Sequence, residues 1–348
     1  MTPDAAVARL AGRRDLVEDE MAAVMESILT GGATPAQVAA ILLGLREKGE
    51  TVAELVGAAR TLRAHGIPLP GAPPGAIDTC GTGGDGARTF NVSTAAALVV
   101  AAAGVPVAKH GNRAASSSAG SADVLEELGV VIELEPVLLA RCLHEVGIAF
   151  LHAPAFHPAL RRVAGVRREL GVRTLFNVLG PLVNPAGVRR QVVGVGDPLL
   201  LEPVARVLAE LGGEHAWVVH GAGGLDELGL EGASDVMELS AGGTRRFRID
   251  PGDAGLAQAS HEPLRVASVP ESAARIRAVL AGEPGPARDV VRLNAAAALV
   301  VAGVAADLRE GAERAATVID SGAAARVLDR LVRFTGRAAG RGLRVSAR

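Results

Sequence analysis

Apolar residues recur at helical spacing through LVEDEMAAVMESIL (16–29), which predicts an amphipathic helix near the start of the chain. Thr34-Pro35 opens the next segment, an N-cap followed by proline at the first helical position. Thr51 opens TVAELVGAARTLRAHG, with Glu54 three residues on as a capping box and Gly66 as the stop. The first 66 residues therefore read as helices, and the Pro/Gly-rich IPLPGAPPGA (67–76) as a linker. Beyond it the periodicity shortens. The β-like runs AIDTC, VPVAKHG, VVIEL, IAFLHAP, QVVGVG, HAWVVHG and DVMELS alternate with the helical segments NVSTAAALVVAAAG, SADVLEELG and PVLLARCLHEVG. Such alternation predicts an α/β fold with a mostly parallel central sheet flanked by helices. Residues 157–182 read as helical again and could fold back onto the N-terminal helices, whereas the Gly/Arg-rich tail after Phe334 reads as frayed. The expected organisation is a small α-helical domain (1–70 plus about 157–182) and a large α/β domain (71–156 and 183–348).

The 348 residues suit two domains, and 49% hydrophobic against 21% charged residues is ample for a buried core. A formal net charge of −2 gives no electrostatic reason to expect nucleic acid or an anionic membrane. The longest apolar run, Ala95 to Ala103, falls far short of the ~20 residues that span a bilayer. The acid-bearing start is not a signal peptide, and Cys80 and Cys142 show no CxxC spacing, so buried free thiols in the cytoplasm are expected. Of the 36 basic residues only Lys48 and Lys109 are lysines, and there are five asparagines and no tyrosine.

Those rare polar types draw attention to two loops. Asp78-Thr79-Cys80-Gly81-Thr82-Gly83-Gly84-Asp85-Gly86 lies between a predicted strand and a predicted helix. Four glycines in six residues let a backbone take positive φ and approach a ligand closely. The helix that follows, opening near Asn91-Val92-Ser93-Thr94, would offer capping side chains and free N–H groups to a phosphate. The spacing satisfies G-x-G-x-x-G, yet the second strand ends in Lys109-His110 rather than the acid that a dinucleotide fold requires. The second loop, Lys109 to Ser121, is the densest polar stretch in the chain and ends the next strand. Two successive strand ends with anion-binding chemistry converge on the carboxyl edge of a parallel sheet, where such folds bind ligands, and suit a ligand with separated phosphates. Asp226-Glu227, adjacent carboxylates after the strand HAWVVHG, are candidate Mg²⁺ ligands.

In this order and spacing, DTCGTGGDGARTFNVSTAAA, KHGNRAASSSAGSADVLEELG, VRRELGVRTLFNVLGPLVNPA, VVHGAGGLDEL and GPARDVVRLNAAAALVVAG resemble the anthranilate phosphoribosyltransferase family, and the similarity runs from about residue 15 to residue 335. The resemblance implies a homodimer, joined through the helical domain, that transfers phosphoribosyl from 5-phosphoribosyl-1-diphosphate (PRPP) to anthranilate with Mg²⁺, two ions per subunit. Carried over by motif, Gly81, Gly84, Asp85, Thr89, Asn91, Val92, Ser93 and Thr94 would line the PRPP site. Lys109, His110, Gly111, Asn112, Arg113, Ala114, Ala115, Ser116, Ser117 and Ser121 would complete it. Gly81, Asn112, Arg167, His110, Pro154, Gly180 and Pro181 would meet anthranilate, and Ser93, Asp226 and Glu227 the metal. No residue is expected to act as a nucleophile or strong base.

The chain departs from the family pattern at Ala114 and Ala115, where Ser and Val are common, and at Ser118, where Lys is frequent. Leu228 replaces a usual Ile, and His152 a usual aromatic. Two other readings compete. A pyrimidine-nucleoside phosphorylase would carry a KHSTGG-type loop in place of DTCGTGGDG, and a non-catalytic nucleic-acid-binding relative would want a basic groove.

Overall fold

The computed structural model describes residues 1–114 and 119–345. Four helices come first: α1 (Pro3–Ala11), α2 (Glu18–Thr30), α3 (Pro35–Lys48) and α4 (Val52–Ala64). Thr34 and Thr51 cap α3 and α4 as the sequence predicts. Glu54 does more than close its capping box. Fully buried, it also accepts from the Leu16 backbone N–H and from Lys48, so the α1–α2 connection is fastened to the start of α4.

The sheet follows as β1 (Ile77–Gly81), β2 (Val107–Gly111), β3 (Ile148–His152), β4 (Arg190–Gly194), β5 (His215–His220), β6 (Ser234–Ser240) and β7 (Gly243–Ile249). Its order is β3-β2-β1-β4-β5-β6-β7. The first five strands are parallel, whereas β6 and β7 run antiparallel. The strand β7, GTRRFRI, escapes hydropathy because its side chains are mostly exposed. The run VVIEL, read as a strand, forms no strand: Val130 and Ile132 bury their side chains without pairing to a neighbour.

The crossovers are α5 (Val92–Ala102), α6 (Ser121–Glu127) and α7 (Pro136–Val146). Then come α8 (Ala153–Phe156), α9 (Arg161–Leu170), α10 (Leu175–Leu179) and α11 (Leu201–Glu210). Helices α12 (Val269–Leu280), α13 (Pro286–Val301), α14 (Leu308–Asp320) and α15 (Ala323–Val345) end the chain. The tail expected to fray instead continues α15 to Val345, its glycines being tolerated within a long helix that packs on α5 and α7. No helix among the described residues is long and apolar enough to cross a membrane.

Strand alternation sends side chains to two cores. Val192, Trp217, Val219 and Val236 join one with α5, α7 and α12–α15. Val193, Val195, Ala216, Val218 and Met237 join the other with α1–α4 and α11. Val163 of α9 and Leu175, Phe176 and Leu179 of α10 lie in this second core, so residues 161–179 fold back onto the first helices. Within that bundle α2 and α4 meet at Gly57, where a Cβ would stand 2.4 Å from the Glu18 carbonyl oxygen.

Gly57→Ala is therefore expected to destabilise the chain. The helix-propensity gain of about 1 kcal/mol is outweighed by an overpacking cost of about 1–3 kcal/mol against rigid backbone. Chemical unfolding should show a lower midpoint, and a raised midpoint would contradict the close approach.

Candidate functional site

The carboxyl ends of β1 and β4 meet the 221–228 segment at Asp226, and bare backbone lets them approach. A Cβ on Gly81 would stand 2.2 Å from Asp226 Oδ2, and one on Gly194 only 1.5 Å from the Asp226 carbonyl oxygen. Gly194, which closes β4, had no assigned role in the sequence; its signal is the glycine at the end of an otherwise branched run, QVVG. After Gly81 the loop turns through Gly83, Gly84 and Gly86 at φ of 64°, 76° and 71°, the left-handed region that glycine enters without strain.

Asp226 and Glu227 each hold one backbone donor of this edge. Asp226 Oδ2 accepts the Gly83 N–H at 2.8 Å, and Glu227 Oε1 accepts the Ser93 N–H at 3.0 Å in the first turn of α5. The N-terminus of α5 is thus met by a carboxylate rather than by the expected side-chain caps. Asn91 instead accepts from Ser272 Oγ at 2.8 Å and donates to the Ala119 carbonyl, while Val92 and Thr94 are buried. Lys109 lies beneath the loop, only 2% exposed, donating to the Thr79 carbonyl and to Ser93 Oγ. Burial pushes the carboxyls of Asp226 and Glu227 well above their ordinary values, with repulsion from Asp85 adding at Asp226 and repulsion from Asp226 adding at Glu227; Lys109 opposes the shift at Glu227 and Arg173 that at Asp226.

Four further residues hold this edge and carried no assigned role in the sequence reading. Asp78, fully buried, accepts from Asn184 Nδ2 at 2.8 Å and from the His110 N–H at 3.2 Å. Burial raises its pKa against the pull of Lys109. Asn294 in α13 clamps the Leu228 backbone, accepting its N–H at 3.0 Å and donating to its carbonyl at 2.9 Å, which fixes the residue after Glu227. Arg173 donates to the carbonyls of Thr82 and Gly83. The rarity of asparagine was the available signal for Asn184 and Asn294; Asp78 opens the glycine loop and Arg173 lies in VRRELGVRTLFNVLGPLVNPA, but acids and arginines are common in this chain and nothing set these two apart.

The second polar loop divides. Asn112 accepts from the Ser121 hydroxyl and the Ala122 N–H on its own carbonyl, which ties the strand end to α6. Arg113 pairs with Asp123 and Glu126, and Ala114 N–H donates to Asp123, so Arg113 is engaged with α6 acids rather than with the glycine loop. Ala115, Ser116, Ser117 and the departing Ser118 lie outside the described residues. Gly111 packs where a Cβ would meet Ser121 Oγ at 2.4 Å. Thr89 forms an isolated bridge with Arg265, away from the carboxylate pair's hydrogen bonds.

On the helical side, His110 Nδ1 donates to the Gly180 carbonyl at 3.0 Å and its ring meets that of His157 edge-on at 5.4 Å. Burial pushes the His110 pKa down to about 3, so the ring is neutral at pH 7 with Nε2 unprotonated. Pro181, adjacent, accepts from Gln191 on its carbonyl. Arg167 in α9 stacks over the Phe176 ring at 5.3 Å and has no carboxylate partner among the described residues. Pro154 sits in the first turn of α8, beyond β3. No group of three or more His, Cys, Asp or Glu side chains among the described residues is arranged to hold a metal. Asp226 and Glu227 nonetheless fit Mg²⁺, which typically takes one or two carboxylates and keeps waters or phosphates for the rest.

Two family models cover the chain: the helical bundle domain of a glycosyl transferase family over residues 5–66, and the a/b domain of that family over residues 73–325. An anthranilate phosphoribosyltransferase of Symbiobacterium thermophilum is 54% identical over 329 residues, 94% of this chain and 96% of the relative. The crystal structure of the Thermus thermophilus anthranilate phosphoribosyltransferase superposes with a TM-score of 0.89 at 45% identity, covering 95% of this chain and 99% of that one. The Saccharomyces cerevisiae enzyme in complex with PRPP and Mg is 28% identical, with a TM-score of 0.83 and 92% of each chain covered.

A buried acid whose folded pKa is raised stabilises the fold only while protonated, so its contribution is lost as pH rises from its ordinary value through the folded one. Glu227→Gln, which keeps the size, should therefore raise Tm at pH 8 without divalent cations by about 2–4 °C, the gap narrowing toward pH 4–5. Thermal unfolding at the two pH values checks this, and a less stable variant at pH 8 would contradict it.

Proposed function

The chain belongs to the anthranilate phosphoribosyltransferase family of glycosyl transferases, and from that premise we propose that it moves the phosphoribosyl group of PRPP onto the amine of anthranilate. The products would be N-(5-phosphoribosyl)anthranilate and diphosphate, in tryptophan biosynthesis. The observation that carries the reading is the meeting, at one sheet edge, of a glycine loop, a buried lysine and an acidic pair.

Displacing diphosphate from ribose C1 builds positive charge on the sugar and negative charge on the leaving group, so catalysis is electrostatic and positional. Bound Mg²⁺, two ions in this reading, would neutralise the diphosphate as it leaves. Asp226 and Glu227, with Ser93, would hold the metal. Backbone N–H groups of residues 84–86 would receive phosphate oxygens. Lys109, packed under the loop, supports the anionic ligand with its charge. Asn112 and the described part of the second loop would bind the rest of PRPP. The same reading makes the protein a cytoplasmic homodimer joined through its first helices.

Anthranilate's amine is neutral at pH 7 and needs no strong base, its own carboxylate being able to take the proton. Arg167, half-buried and without an acid partner, would take that carboxylate and aim the amine. Burial lowers the Arg167 pKa, in keeping with a cation that lacks a counter-charge. Neutral His110, together with Gly81, Pro154, Gly180 and Pro181, would line the path.

The direct test is the loss of anthranilate fluorescence on mixing the enzyme with anthranilate, PRPP and Mg²⁺. Turnover that stops when Mg²⁺ is chelated is expected; no turnover would reject the reading. Arg167→Ala should raise the anthranilate KM by about 10- to 100-fold, the worth of one charge-assisted contact, with the PRPP KM little changed. Equal rises in both would remove Arg167 from the anthranilate site.

A further inference from the structure

Between α9 and α10 the chain leaves the helical side and touches the glycine loop through one side chain. Arg173 sends both terminal nitrogens to consecutive carbonyls of that loop, Nη1 to Gly83 and Nη2 to Thr82 at 3.2 Å. Among the described residues no other side chain from residues 157–182 hydrogen-bonds the segment 82–86. The contact is close: a Cβ on Gly84 would stand 1.6 Å from Arg173 Nη1, and the φ of 76° there already favours glycine.

The consequence follows from peptide geometry. In a trans peptide the C=O and N–H point in opposite directions. With the carbonyls of Thr82 and Gly83 turned to the guanidinium, the N–H groups of Gly83 and Gly84 are turned away from it. The first is held by Asp226 Oδ2 at 2.8 Å, and the second has no hydrogen-bond partner among the described residues. Glycines at positive φ, 64° at Gly83 and 76° at Gly84, leave these peptides free to rotate unless something fixes them. Arg173 supplies that constraint from one side and Asp226 from the other.

We propose that Arg173 is a positioning residue for anion binding in this site: by holding two loop carbonyls, with Asp226 fixing the Gly83 N–H, it presents the Gly84 N–H to the diphosphate of PRPP. It belongs to the segment that carries Arg167 and Phe176, stacked at 5.3 Å, so the part of the chain that meets anthranilate also sets the loop that meets PRPP. A guanidinium suits the task because its planar fork reaches two acceptors at once, whereas an ammonium is a point charge on a flexible stem. The inference rests on the PRPP reading of the glycine loop.

The test compares wild type, Arg173→Ala and Arg173→Lys. Steady-state kinetics should show the PRPP KM raised by about 10- to 100-fold in Arg173→Ala, with the anthranilate KM within about threefold of wild type. Arg173→Lys should recover part of the loss. Calorimetric titration with inorganic diphosphate and Mg²⁺ should show the same order of affinities without requiring turnover. A parallel rise in both KM values, an unchanged diphosphate affinity in Arg173→Ala, or a lysine variant no better than alanine would each overturn the proposal. If Arg173→Ala fails to fold, Arg173→Lys decides alone: diphosphate affinity below wild type supports the role, and equality refutes it. Should the wild type bind diphosphate yet not turn over, the transferase reading fails, while the affinity difference between wild type and variant still judges Arg173.

Discussion

Everything at the site depends on the close approach of an acidic segment to strand ends that carry no side chains. Gly81 and Gly194 end the adjacent strands β1 and β4, and a Cβ on either would collide with Asp226. Their bareness places one carboxylate against the Gly83 N–H and lets the next reach the first turn of α5. Asn294, in the helix α13 that packs on β4 and β5, grips the backbone just after the pair. The arrangement is costly for the isolated fold, because burial and repulsion hold both carboxyls above their ordinary pKa. Such a cost is expected where a site is shaped for a ligand's charge rather than for stability.

The two halves of the molecule share that site through the sheet. One sheet face packs on α5 and the C-terminal helices, and the other on the first helices and α11. Helix α9 and helix α10 join the second core while His110 bonds Gly180 and Arg173 bonds the glycine loop. Residues from the helical side therefore reach the sheet edge by hydrogen bonds to backbone.

Much of this was legible in the sequence. The caps at Thr34 and Thr51, the alternation of strands and helices, and the two polar loops at successive strand ends all follow from local chemistry, and the structure has them. The misreadings have physical causes. VVIEL is apolar enough for a strand but has no neighbour to pair with, and GTRRFRI pairs with β6 at the sheet edge where apolar side chains are not required. The Gly/Arg tail lacks local helix signals yet extends a helix already packed on α5 and α7. Asp78 and Arg173 lay within quoted motifs but carried no assigned role, because their importance lies in partners 32 and 90 positions away. By contrast Lys109 stood out by rarity, although its place is beneath the loop in a strand rather than on the loop surface.

The central claim is that the glycine loop and the Asp226–Glu227 pair form one diphosphate–metal site. A crystal structure of the chain with PRPP and Mg²⁺ tests it most directly. Diphosphate oxygens are expected against the backbone N–H groups of residues 84–86, with metal between the diphosphate and the two carboxylates. PRPP seated elsewhere, or metal density away from Asp226 and Glu227, would contradict it.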